Sequence, residues 1–123
     1  MNRFGRWTLA ALTALSLGSE AYGATLVTGT VRVEPDELVE CTALNGGTSR
    51  LEGLRVELLA AFPPTPISLS SLDCVFKDPG IVCDTSHVAS GTEFVFCKVT
   101  TPDKRAVRGV IQNVTTGATL EAR

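Results

Sequence analysis

This 123-residue chain has one histidine, His87, and therefore a single copy of the side chain best suited to proton transfer near neutral pH. A hydrolytic triad needs a histidine held between an acid and a nucleophile. The only hydroxyl beside it in sequence, Ser86, points the other way in an extended chain. There is no Gly-x-Ser-x-Gly elbow and no glycine loop built to cradle phosphate. The lone tryptophan, Trp7, sits near the N-terminus, outside any core the later segments would form. No Cys-x-x-Cys pair occurs among the cysteines at 41, 74, 83 and 97, so a zinc site is not expected. Asp73, Asp78 and Asp84 gather around one turn without the dense acidic spacing of a calcium loop. Glu40, Glu57 and Glu93 read as outward-facing acids on strands, not as a catalytic pair. The expectation is a chain with no catalytic residues, no metal and no cofactor.

Charge is equally uninformative as a lure. Eleven basic and thirteen acidic residues are scattered without a basic stripe, which argues against nucleic acid. Only one long uncharged apolar run exists, Trp7 to Leu17, behind Arg3 and Arg6. Glu20 interrupts it before the roughly 20 apolar residues a bilayer-spanning helix needs. Small residues follow in Ser19-Glu20-Ala21 and Ala21-Tyr22-Gly23. This is the pattern of a secretory signal peptide over residues 1–23, cut after Gly23 or, second, after Ala21. The arginines are not adjacent, which favours the general secretory route. Setting aside Arg3, Arg6 and Glu20 leaves a net charge of −3 on residues 24–123, a single domain by size. A secreted, periplasmic or extracellular location follows, with no stable membrane insertion once the leader is gone.

What the chain does have is alternation. Thr92 to Thr100 places Phe94, Phe96 and Lys98 on one face and Val95, Cys97 and Val99 on the other. Ala24 to Val33 reads as a strand with Val27, Val31 and Val33 together and a bulge at Gly29. Glu34-Pro35-Asp36-Glu37 is a turn. Leu38 to Leu44 turns Val39, Cys41 and Ala43 inward, and Leu54 to Leu58 does the same with Leu54, Val56 and Leu58. Helix propensity through Leu51–Ala61 competes there, but the period of two favours a strand. Phe62 to Pro66 is extended and reads as a crossover between sheets or a sheet edge. Ile67 to Leu72 is expected to be a short edge strand. Asp78-Pro79-Gly80 suggests a small hairpin between 73–77 and 81–84. Ser86 to Gly91 reads as loop. Ala106 to Val114 is the last long strand, with Val107 and Ile111 or Val110 and Val114 inward, and 119–122 adds a short tail strand.

About seven short strands with regular turns predict an all-β fold, an antiparallel two-sheet sandwich. Four cysteines in an exported chain predict two disulfides. The hairpin pairs Cys74 with Cys83, which leaves Cys41 to meet Cys97 and join an early strand to a late one. Val39-Glu40-Cys41 with Asn45-Gly46-Gly47, and the late Phe94-Val95-Phe96-Cys97-Lys98-Val99 run, resemble an immunoglobulin-like sandwich. With Ala106-Val107-Arg108-Gly109 they also resemble small exported bacterial proteins of uncharacterised function, built from Cys-x(3)-Asn-x-Gly, Phe/Tyr-Cys-Lys and Ala-Val-Arg-Gly segments. The resemblance implies the sandwich and no activity. The functional expectation is a structural or protein-interaction module with Phe94 and Phe96 as partner-binding residues. A module binding carbohydrate or a small ligand, such as a surface glycan, comes second, and a small secreted enzyme or enzyme inhibitor third.

Overall fold

The computed structural model describes residues 24–61 and 64–123, and for 75–77 the backbone alone. The signal peptide expected over 1–23, and Phe62 and Pro63, lie outside these residues. The described chain is all-β, with nine strands: β1 Ala24–Val27, β2 Val31–Val33, β3 Leu38–Asn45, β4 Leu51–Ala60, β5 Ile67–Lys77, β6 Val82–Val88, β7 Glu93–Thr101, β8 Val107–Asn113 and β9 Thr119–Glu121. One antiparallel sheet runs β1-β7-β4-β5, with β2 also on β7; the other runs β6-β3-β8-β9. We call them sheets A and B.

Alternation decides what lies between them. Val39, Cys41 and Ala43 of β3, Leu54, Val56 and Leu58 of β4, and Val95, Cys97 and Val99 of β7 are all buried. Burying a Val, Leu or Ile side chain contributes about 1.5–3 kcal/mol each. A one-residue slip of any of these strands would turn its apolar set to water. β8 resolves the ambiguity of its facing: Val107, Gly109 and Ile111 are inward, Val110 and Val114 are not. Residues 51–60 are strand throughout, so the period of two prevails over helix propensity.

The first strand departs from expectation. It divides in two, because Thr28, Gly29 and Thr30 stand opposite only Phe96 and Cys97 of β7. This is the bulge expected at Gly29, and it resets the facing: Leu26 is buried and Val27 is exposed, not inward with Val31 and Val33. The extra residue breaks the ladder at Cys97. Thr28 repairs it, since its buried hydroxyl accepts the Cys97 N–H at 2.9 Å and donates to Gly29 O at 2.7 Å.

Both disulfides form as expected, Cys41–Cys97 and Cys74–Cys83, with Cα separations of 5.5 and 6.2 Å. The second forms for a different reason. There is no hairpin between 73–77 and 81–84: β5 pairs with β4 in sheet A, and β6 pairs with β3 in sheet B. The Asp78-Pro79-Gly80 turn carries the chain from one sheet to the other, so each bond joins the two sheets. The converse holds for 61–66, which links β4 to its own neighbour β5 and is not a crossover. Residues 67–77 form one long edge strand, not two short pieces.

The two flanks of the sandwich close differently. On one, Val27 and Arg123 exchange backbone hydrogen bonds at 3.1 Å each way, tying β1 to the tail beyond β9. On the other, Cys74–Cys83 and a Ser70–Thr85 hydroxyl contact hold β5 to β6.

In the chain-entropy account the long disulfide loop contributes about 4 kcal/mol and the short one about 3 kcal/mol. Against a small domain's total of about 5–15 kcal/mol, reduction of both should leave a marginal fold. Urea unfolding with and without reductant checks this; midpoints that barely differ would defeat it. Thr28→Val, which removes the acceptor for a buried N–H without changing shape, should cost about 1–3 kcal/mol in the same assay.

Candidate functional site

The residues of two of the short motifs, Asn45-Gly46-Gly47 and Ala106 to Gly109, prove to be fold-locking. Asn45 is fully buried, its Nδ2 donating to Ser49 O at 2.9 Å and its Oδ1 accepting the Gly47 N–H at 3.0 Å. Gly46 N–H donates to Ala106 O at 2.7 Å, and a Cβ at Gly47 would stand 2.9 Å from the Ala106 Cβ. A Cβ at Gly109 would meet Val99 and Ala122 at 3.0 Å each. These segments therefore pack on each other and on β7.

A second buried asparagine, Asn113, does the same work at the opposite end of sheet B. Its Nδ2 donates to Glu37 Oε1 at 3.1 Å and to Arg32 O at 3.4 Å. Its Oδ1 accepts the N–H groups of Thr115 and Thr116, each at 3.1 Å. Asn113 thus organises the turn that follows β8. Both asparagines continue a period-two inward row, Cys41-Ala43-Asn45 and Gly109-Ile111-Asn113, which is the sequence signal for a buried polar group at a strand end.

His87 lies in β6, not in a loop. It stands opposite buried Val39, so it faces inward, and its Nε2 is 3.0 Å from Glu93 Oε2. Glu93 stands opposite buried Val33 and shares the inward face of β7, contrary to the outward position expected for it. The pair bridges the two sheets at one end of the sandwich. Ser86 stands opposite Glu40, on the other face of β6 from His87.

The outer face of sheet A carries the remaining candidates. Phe94 and Phe96 project from β7, away from Val95 and Cys97, as the alternation requires. Phe94 is 51% exposed and Phe96 is half-buried. Their cross-strand neighbours are Arg32 of β2, opposite Phe94, and Leu59 of β4, opposite Phe96. Next along the face, Lys98 stands opposite Glu57, and beyond it Arg55 holds Asp73 through two bonds of 2.9 and 3.0 Å. The hydrogen bonds and then the charge of Asp73 raise the Arg55 guanidinium above its ordinary range. A recess of about 440 Å³ opens beside Phe94 where β4 ends and β5 begins, with Ala60, Ile67, Leu69 and Glu93 among its walls. The result is a strip of two aromatics and a leucine rimmed by charges of both signs. Among the described residues no group of three or more metal-ligating side chains is present.

No family model and no curated protein matches the chain. Among solved structures, it is similar to Thermotoga maritima protein 1070, at 7% identity and a TM-score of 0.47 over 80% of this chain and 92% of that one. A chain from the T13 particle of the virus IBDV aligns at 7% identity and 0.32, over 81% of this chain and 26% of that one. The Yersinia pseudotuberculosis-derived mitogen aligns at 11% identity and 0.21, over 81% and 85%. These are likenesses of outline only.

Asn113 makes four hydrogen bonds from a buried position, whereas Glu93 makes one contact from a half-buried one. Asn113→Ala should therefore cost about 2–3 kcal/mol and Glu93→Ala about 1 kcal/mol. Equal costs in urea unfolding would refute the assignment of Asn113 as the organiser of this end.

Proposed function

We propose that this is an exported, disulfide-stabilised sandwich that works by binding a protein partner through the outer face of sheet A, and that it is not a catalyst. The observation that carries the reading is Phe94, half exposed beside Phe96 and Leu59 on a sheet face rimmed by Arg32, Lys98 and Glu57. Aromatic and arginine side chains supply most of the energy of typical protein interfaces.

Two further features support the setting. Both disulfides, with no free cysteine among the described residues, fit an oxidising compartment. The leader-like residues 1–23 supply the route there. His87 Nε2 is held by Glu93, and Ser86 faces away from the pair.

The strand path also supports an immunoglobulin-like kinship. Strands β3 to β7 follow the B-C-C′-E-F path: β3 pairs β6 as B pairs E, β4 pairs β7 as C pairs F, and the central bond joins B to F. The outermost strands depart from it, because β8 pairs with β3 and β1 with β7, where an immunoglobulin domain has them on the opposite sheets.

Crosslinked capture from envelope extracts, run beside a glycan array, tests the binding role. Phe94→Ala with Phe96→Ala should lose the captured partner at least tenfold while the unfolding midpoint holds, and Thr25→Ala should lose nothing. Capture indifferent to both phenylalanines would overturn the reading. Glycan binding that depends on them would replace the protein partner with a carbohydrate, and turnover of generic ester, peptide or glycoside substrates lost in His87→Ala would make the chain an enzyme.

A further inference from the structure

Strand β5 ends sheet A: among the described residues its backbone ladder is with β4 alone, while its inward side chains Ser70 and Cys74 are held to β6. Long unpaired edges are ordinarily blunted by shortness, proline, lysine, a bulge or a cover, because they invite another strand. β5 is 11 residues long and contains no proline. Its one register shift falls at Leu69, between the Leu58–Ser70 and Leu59–Ser68 pairs; from Ser70 to Lys77 the register is constant, with no pair between Gly53 and Val75. Ser71, Leu72 and Asp73 are all exposed, although they point alternately to the two faces. Leu72 stands opposite buried Val56 and shares the face of Ser70 and Cys74, yet is 45% exposed. Ile67, Ile81, Val82 and Val88 are exposed apolar residues on the same flank. The opposite flank is closed by the Val27–Arg123 bonds.

We infer that the free edge of β5 takes the β5 edge of a second copy, antiparallel about a two-fold axis through Leu72. Antiparallel pairing of a strand with itself brings residues of like facing together. An axis at Asp73 would set two carboxylates side by side. An axis at Ser71 would set the bulged Leu69 opposite the Asp73 carboxylate. An axis at Leu72 sets Leu72 on its mate, Ser70 beside Cys74, and Ser71 beside the Asp73 carboxylate, with no like charges opposed. The charge pattern of this edge thus suits its own inverse. A contact of one strand pair buries less than the roughly 800 Å² per partner of a stable complex, so the dimer is weak and concentration-dependent. The two-fold axis stands perpendicular to the sheet, which turns both Phe94–Phe96 strips to the same side and makes the pair bivalent.

Sedimentation velocity of the purified, oxidised protein tests this across about 1–500 µM. The mass should rise from monomer to dimer, and Leu72→Lys should hold it at monomer with an unchanged unfolding midpoint. Amide exchange should show protection in 70–74 that grows with concentration. A monomer throughout, or a dimer that survives Leu72→Lys, overturns the inference. So does a dimer abolished by Phe94→Ala, since that would place the contact on the aromatic face, whereas loss of partner capture alone leaves the edge contact standing.

Discussion

The covalent bond between Cys41 and Cys97 is the constraint on which the remainder of the molecule depends. β3 and β7 are the central strands of their sheets, and each has neighbours on both sides. Joining their midpoints fixes which faces of the two sheets oppose one another. Once Cys41 and Cys97 point inward, period two dictates that Val39, Ala43, Val95 and Val99 do so as well, and hydrogen bonding then carries the same facing outward to β4, β6 and β8. Thr28 protects this centre from a defect of its own making, because the bulge that re-aims β1 would otherwise leave the Cys97 N–H buried without an acceptor.

Much of this was legible in the residues, for a physical reason. Strands buried on one face write their orientation into the sequence, and Leu54-Arg55-Val56-Glu57-Leu58 or Val95-Phe96-Cys97-Lys98-Val99 admit few other readings. Strand partnership is not written that way. Asp78-Pro79-Gly80 specifies a reversal of the chain but not whether the returning strand joins the same sheet, so the hairpin was a false inference that still led to the right cysteine pair. Facing was lost wherever one residue too many enters a strand, as at Thr28 to Thr30. The inward turn of Glu93 was obscured by its charge, although it shares the parity of Val95 and Cys97; its half-buried partner His87 belongs to a strand that reads as loop because Ser86 and its neighbours have weak strand propensity.

The candidate site divides along a similar line. The short motifs that make the sequence look familiar, around Asn45, Gly47 and Gly109, are occupied in packing loops against strands. They tell of architecture. The residues free to meet another molecule, Phe94 above all, lie between those motifs on the face that alternation alone assigns to solvent. That face could be foreseen; its neighbours Arg32 and Leu59 could not, since they come from strands far away in sequence and meet β7 only through the sheet order.

The pairing of Val27 with Arg123 bears on how the chain assembles. β1 is the first described strand to be synthesised, and each of its partners, β7 and the tail, comes late. Its partners lie roughly 70 to 100 residues further along, and contacts of such long range close slowly. The bonds between Val27 and Arg123 thus act as a latch that fastens only after β7 and the residues beyond β9 have taken their places.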